Sequence, residues 1–390
     1  MAFDFDLITG GAGSGGVAAS RRAAAHGARV AIIEAGRVGG TCVLRGCVPK
    51  KLLMYAAQLG DNLHEAAGYG WQLPDTGPGR GLRFDMPAWA AAKAAETSRL
   101  EGVYRQLLAG SGVQLVEGRA RLAGPQAVQV GGRTLTARHV LLATGGAPVR
   151  DSIPGIDACA TSDDLLDLQA LPAAAAVVGG GYIAVEFASM LARLGVPVAL
   201  FYRDRLPLRG FDQLLREAAA AALQAGGVAL HPGAAPQRIG RDGSAFVLQL
   251  ADGQAPAFPW VLNATGRRPA TAGLGLDGLL ALGPHGAVPA DGQCSTALPG
   301  LHAIGDVTDR KNLTPVAIAE GRALADRLFG PAHLAQHPVD LSRVASAVFM
   351  LPPLASVGPT EDEALAAGHR LRVFEAGFRP MKQAFIGGTE

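Results

Sequence analysis

Two glycine-rich turns constrain what this chain can fold into more than any other feature. Gly11-Ala12-Gly13-Ser14-Gly15-Gly16 has the spacing Gly-x-Gly-x-x-Gly, and Gly179-Gly180-Gly181-Tyr182-Ile183-Ala184 has Gly-x-Gly-x-x-Ala. Each follows a short apolar run (Phe5 to Ile8, Ala176 to Val178) and opens a segment of helical length. A lone glycine turn also fits an ordinary strand–helix junction. Placed between strand and helix, with a second strand following, it predicts a dinucleotide-binding βαβ unit, whose glycines let the backbone approach a pyrophosphate. The two second strands end differently. Arg29 to Ile33 leads to Glu34, 23 positions after Gly11. A carboxylate there accepts from a ribose diol and disfavours a 2′-phosphate, so FAD or NAD is expected. Val196 to Tyr202 leads instead to Arg203, with Arg205 and Arg209 beyond it. Guanidinium groups at that place fit the 2′-phosphate of NADPH, although a solvated basic loop is the plain alternative, given Asp204 and Asp212 nearby. Thr9-Gly10 reads as a poor end for a buried strand.

The 390 residues are enough for two or three domains. Hydrophobic content of 49% with 17% charge is a globular composition. A net charge of +2 points to neither nucleic acid nor an anionic membrane as partner. Four cysteines argue against a disulfide scaffold and for a reducing, cytoplasmic setting. Met1 to Asp6 has no secretory character, and the most apolar run, Pro172 to Tyr202, is interrupted by glycines, Glu186, Arg193 and Pro197. It therefore reads as strand, turn, helix and strand rather than a membrane span.

Further along, a long helix is expected over Met86 to Ala109, then short strands from Val113 to Val130. The strand Arg138 to Ala143 closes on Thr144-Gly145, and Trp260 to Ala264 closes on Thr265-Gly266-Arg267. That echo implies that the chain leaves its first domain and re-enters it. Leu301 to Ile304 is one more strand, ending at Gly305-Asp306. A helix then runs to Phe329, with Thr314 as N-cap and Pro315 in its first turn. Past Pro338, a strand (Val344 to Phe349), a helix (Thr360 to Ala367) and a strand (Leu371 to Phe378) are expected. The fold class expected is α/β: two Rossmann-like three-layer dinucleotide-binding domains, one inserted in the other, plus the start of a third, α+β unit, which the family resemblance set out below implies is an interface domain. The boundaries expected are 1–150 with 265–337, 151–264, and 338–390.

Between the fingerprints lies Gly40-Thr41-Cys42-Val43-Leu44-Arg45-Gly46-Cys47-Val48-Pro49-Lys50-Lys51. A helix is expected to begin near Cys47, whose thiol then feels the positive end of the helix, with Lys50 one turn on. Such a pair suits thiol–disulfide exchange. A metal half-site or two unrelated buried cysteines are the alternatives, but a metal needs more ligands and no second cysteine pair exists. Cys159 and Cys294 read as isolated buried thiols.

Tandem dinucleotide sites with Cys-x4-Cys between them resemble the flavoprotein disulfide reductases over nearly the whole chain. Within them, the cysteine motif, Gly181-Tyr182-Ile183-Ala184-Val185-Glu186 and Leu313-Thr314-Pro315-Val316-Ala317 are most similar to the glutathione reductases. The resemblance implies FAD bound by Gly11, Gly13, Ser14, Gly16, Glu34, Thr41, Thr144, Gly145, Asp306 and Thr314. It implies NADPH on Gly179, Gly181, Ala184, Arg203 and Arg209, with Gly266 and Arg267 on the NADPH/FAD side and Tyr182 as an aromatic gate. Lys50 and Glu186 match the family's ion pair beside the flavin. Cys47 matches the thiolate next to the flavin, and Cys42 the outer thiol that attacks the disulfide. Arg21, Tyr104 and Arg322 match contacts to glutathione disulfide. Solvated helix arginines and a packed tyrosine are the plain alternatives.

In this family a His-Pro and glutamate near the C-terminus, donated by the second subunit of a homodimer, carry out proton transfer. Here His231-Pro232 and His337-Pro338 lie elsewhere, lack the following acids and read as loop residues. The expectation is a chain short of that histidine and of much of its dimer surface. Dihydrolipoamide dehydrogenase-like or quinone reduction, and a nucleotide-binding fragment without turnover, are the rival readings.

Overall fold

The computed structural model describes residues 3–72, 83–335 and 339–387. Two compact units emerge. One comprises Met1–Pro49, Ala92–Val149 and Gly266–Val344; the other comprises Lys50–Ala91, Arg150–Thr265 and Ala345–Glu390.

In the first unit the parallel strands stand in the order Gln114–Glu117, Val30–Glu34, Phe5–Gly10, Arg133–Leu142, Leu301–Ala303. The first half of Arg133–Leu142 continues into an antiparallel meander with Ala127–Val130 and Arg121–Gly124. Alternation along the strands divides the core in two. Leu7, Val30, Ile32 and Leu141 pack on helices, through Val17, Ala23, Leu108 and Leu324. Ile8, Ile33, Val140 and Leu142 pack on the meander, through Leu122, Val128 and Val130.

The second unit repeats this plan. Its parallel strands run Val228–Pro232, Val198–Tyr202, Ala175–Val178, Val261–Asn263. Val177, Val198 and Leu200 face helices, while Ala176, Val178, Ala199 and Phe201 face the antiparallel strands that carry Ile239, Phe246 and Leu248. Three layers (helices, parallel sheet, antiparallel sheet) therefore recur, as two βαβ fingerprints in one chain imply.

Several local expectations need correction. The strand Phe5–Gly10 includes both Thr9 and Gly10, because the fully buried Thr9 hydroxyl is satisfied by Ser20 Oγ at 2.9 Å. His231-Pro232 ends a strand rather than lying in a loop, with the His231 ring stacked on Phe201 at 4.4 Å between centroids. His337-Pro338 lies outside the described residues. The expected strand Val344 to Phe349 shrinks to Ser346–Val348, paired with Leu354–Ser356. Leu371 to Phe378 forms no strand: its apolar residues are exposed, Phe378 at 87%, and no described strand pairs with it. Among the described residues no helix is long and apolar enough to cross a membrane.

Candidate active site

At the carboxyl ends of neighbouring strands in the first unit, Gly11 adopts φ 107°, and a Cβ there would overlap the Ala143 carbonyl. A Cβ on Gly16 would overlap the Gly11 carbonyl oxygen. Only glycine lets this turn lie flat against the sheet edge and present its N–H groups at the head of the helix Ser14–Ala25. Gly13 faces Gly40 across a gap that a Cβ on Gly40 would fill. Glu34 accepts from Ala12 N–H at 2.7 Å and from Gly36 N–H at 2.8 Å. Its oxygens keep further lone pairs for a diol. Across the same edge, Thr144 Oγ1 donates to the Ala270 carbonyl at 2.9 Å, and the Gly145 carbonyl accepts from Ala270 N–H. Asp306 sits in the tight turn Gly305–Thr308; burial pushes its carboxyl up, while Arg267 pulls the other way. Arg267 also donates to the Gly146 carbonyl at 2.6 Å, and Gly266 accepts from Val149 N–H. A glycine cradle, a carboxylate at the end of the second strand and a second, partly buried carboxyl fit a dinucleotide such as FAD.

Cys42 lies on the short helix Gly40–Leu44, and Cys47 is the first residue of Cys47–Glu65. Gly46 makes the reversal possible, since a Cβ there would stand 2.8 Å from the Thr41 carbonyl. Thr41 itself is exposed, and its carbonyl also accepts from Arg45 N–H. Both cysteines are free thiols. The Cys42 thiol is pushed strongly up, first by its hydrogen bond to Cys47, then by burial and by charge on Cys47. The hydroxyls of Thr314 and Ser14 oppose that shift. Thr314 is not the N-cap expected: Leu313 holds that position and Thr314-Pro315 begin the helix Thr314–Phe329. Its hydroxyl instead faces Cys47 Sγ at 3.4 Å. Tyr104 is half-buried, its phenol raised by burial and then by charge on Cys42. Arg21 Nε donates to Ser111 Oγ at 3.1 Å, and Arg322 is exposed on Thr314–Phe329.

The second unit presents the matching turn. Gly179, at φ 138°, stands where a Cβ would overlap the Ala264 carbonyl, as Gly11 does against Ala143. Gly181 precedes the helix Tyr182–Arg193, and the third fingerprint position, Ala184, is fully buried. Arg203 and Arg209 are exposed just past the strand Val198–Tyr202. Lys50 Nζ meets Glu186 Oε2 at 2.5 Å, with Glu186 only 1% exposed. The same ammonium lies 5.2 Å from the Tyr182 ring centroid.

Sequence reasoning missed two groups here. Phe349 N–H donates to Glu186 Oε1 at 2.7 Å, and its ring lies 5.2 Å from Lys50 Nζ. In the first unit, buried Glu320 accepts from Gly305 N–H at 2.7 Å and from Arg310 at 2.8 Å, bracing the turn that holds Asp306. Neither follows a local motif. Among the described residues no cluster of three or more His, Cys, Asp or Glu could hold a metal.

Residues 5–321, which contain both glycine turns and the cysteine pair, match the family described as pyridine nucleotide-disulphide oxidoreductase. The chain belongs to that family. It is 45% identical to a glutathione reductase of Burkholderia cepacia over 389 residues, spanning 100% of this chain and 85% of that protein. It is 41% identical to the chloroplastic/mitochondrial glutathione reductase of Pisum sativum, spanning 99% of this chain and 70% of that one. Among solved structures it is similar to the HOCl-induced flavoprotein disulfide reductase RclA of Escherichia coli. That match has a TM-score of 0.81 and 28% identity, over 93% of this chain and 79% of RclA.

Proposed function

We propose that this chain is an NADPH-dependent flavoprotein that reduces glutathione disulfide through Cys42 and Cys47. The observation that carries the reading is the contact between two free thiols at a helix N-terminus, faced by Ser14 and Thr314 hydroxyls, in a chain so similar to glutathione reductases. The first unit binds FAD at Gly11, Gly13, Ser14, Gly16, Glu34, Thr41, Thr144, Gly145, Asp306 and Thr314. Segment 151–264 binds NADPH at Gly179, Gly181 and Ala184, with Arg203 and Arg209 on the 2′-phosphate and Gly266 and Arg267 toward the cofactors. Bound FAD supplies the two-electron relay between nicotinamide and sulfur.

The chain's own groups do the rest. Cys42 attacks one sulfur of glutathione disulfide, forming a mixed disulfide and releasing one glutathione. Its proton passes along the hydrogen bond to the Cys47 sulfur and on to the departing glutathione thiolate, which leaves Cys47 as a thiolate. Cys47 then attacks Cys42, closing the internal disulfide and releasing the second glutathione. Arg21 and Arg322 answer the substrate's carboxylates, and Tyr104 lies against it. Lys50 and Glu186 form the ion pair beside the nicotinamide path, and Tyr182 gates that path. A reducing, cytoplasmic setting suits its free cysteines.

The test uses the Cys47→Ser holoprotein mixed with glutathione disulfide under anaerobic conditions. Mass spectrometry should find glutathione linked to Cys42, and none in Cys42→Ser. Labelling by lipoamide but not by glutathione disulfide would overturn the substrate assignment.

A further inference from the structure

We propose that Phe349 is a positioning residue for Lys50, holding the ammonium in place through its ring and through Glu186. The inference rests on the function proposed above, in which Lys50 serves the nicotinamide path.

Among the described residues Lys50 Nζ has a carboxylate oxygen and two rings as neighbours: Glu186 Oε2 at 2.5 Å and the rings of Tyr182 and Phe349, each with its centroid at 5.2 Å. Phe349 touches both the ammonium and its partner carboxylate. Its backbone N–H donates to Glu186 Oε1 at 2.7 Å, which fixes the carboxylate so that the other oxygen meets Lys50. Its ring offers a negative face to the ammonium, an attraction that strengthens when water is excluded. Here the Lys50 side chain is only 11% exposed.

Tyr182 begins its helix and is 37% exposed, and in the function proposed above it gates the nicotinamide path. When it moves aside, Lys50 loses one ring and keeps Phe349 and Glu186. Phe349 is anchored from behind: Leu351 N–H donates to buried Ser189 Oγ at 3.0 Å, and the Leu351 carbonyl accepts from Arg193 at 3.4 Å. Glu186, Ser189 and Arg193 fall on one face of the helix Tyr182–Arg193 and together grip the backbone of 349–351. Lys51, exposed, faces the same ring at 5.4 Å. Phe349 lies outside the 5–321 span of the family match.

The experiment replaces Phe349 by 4-fluoro-, 3,5-difluoro- and pentafluoro-phenylalanine, which drain the ring face with little change in volume. Stopped-flow bleaching of the flavin by NADPH should slow stepwise with each fluorine set, by roughly tenfold in all. In Lys50→Met the series should be flat. A second readout needs no turnover: in oxidised holoprotein with ε-13C-lysine, the Lys50 resonance should move in Phe349→Leu and stay put in Leu214→Ala, a change at an exposed residue of the same unit. Equal rates across the fluorinated series, or a Lys50 resonance indifferent to Phe349→Leu, would overturn the proposal. If wild-type holoprotein is not reduced by NADPH at all, the functional reading fails first, and the resonance test still judges Phe349.

Discussion

Removing Lys50 should destabilise the unit that contains it far more than an exposed charge would. Glu186 is 1% exposed and Lys50 11%, and the two meet at 2.5 Å. Lys50→Met strips the cation from a buried carboxylate that keeps its bond from the Phe349 N–H. Breaking a buried pair from one side costs about 3–5 kcal/mol, because the remaining charge stays desolvated. For a body of 150–250 residues each kcal/mol is worth about 2–4 °C, so the melting temperature should fall by roughly 6–20 °C. Lys50→Met with Glu186→Gln should recover most of the loss, since the amide oxygen keeps the Phe349 bond and no charge is buried. Calorimetry at pH 7 on the holoproteins measures both. A single variant within about 2 °C of wild type, or a double variant no better than the single, would refute the reasoning.

Three further outcomes are expected. Arg203→Glu with Arg209→Leu should raise KM for NADPH about a hundredfold over its effect on NADH, each lost charged hydrogen bond being worth about 1.5–3 kcal/mol; steady-state kinetics with both nucleotides checks it. Gly179→Ala, whose Cβ meets the Ala264 carbonyl, should abolish NADPH binding by titration calorimetry and leave bound FAD in place, whereas Gly11→Ala should cost the flavin. His302, buried beside His139 at 3.1 Å, has its pKa pushed down to about 4 by burial and by His139 and Arg327. A lowered folded pKa means that the unfolded chain binds the proton first. Stability is therefore full above the ordinary value of about 6.5 and falls as pH drops toward 4, by about 3 kcal/mol. His302→Phe should flatten that part of a urea-melt pH profile.

What could be read from the chain alone divides along physical lines. The fingerprint glycines were legible because their role is steric and local: Gly11 and Gly179 each oppose a carbonyl at the end of the neighbouring strand. The doubling of that pattern conveyed the repeated three-layer plan. Thr314 was legible as a helix start, but its side chain turns to a sulfur 267 positions away, which no capping rule anticipates. Phe349 and Glu320 act through backbone N–H groups distant in sequence, and a donor of that kind leaves no trace in residue type. Thr9 looked unfit for a buried strand until Ser20 supplied its partner. Leu371 to Phe378 failed for the opposite reason: apolar residues suggested a strand, and pairing, which makes one, is missing among the described residues.

The most direct test counts thiols in the oxidised holoprotein before and after one equivalent of NADPH, without oxygen, by alkylation and peptide mass mapping. Cys42 and Cys47 should go from linked to each other to separately alkylated, and glutathione disulfide should restore the link. A pair that stays unchanged under NADPH, while the flavin is reduced, would contradict the account.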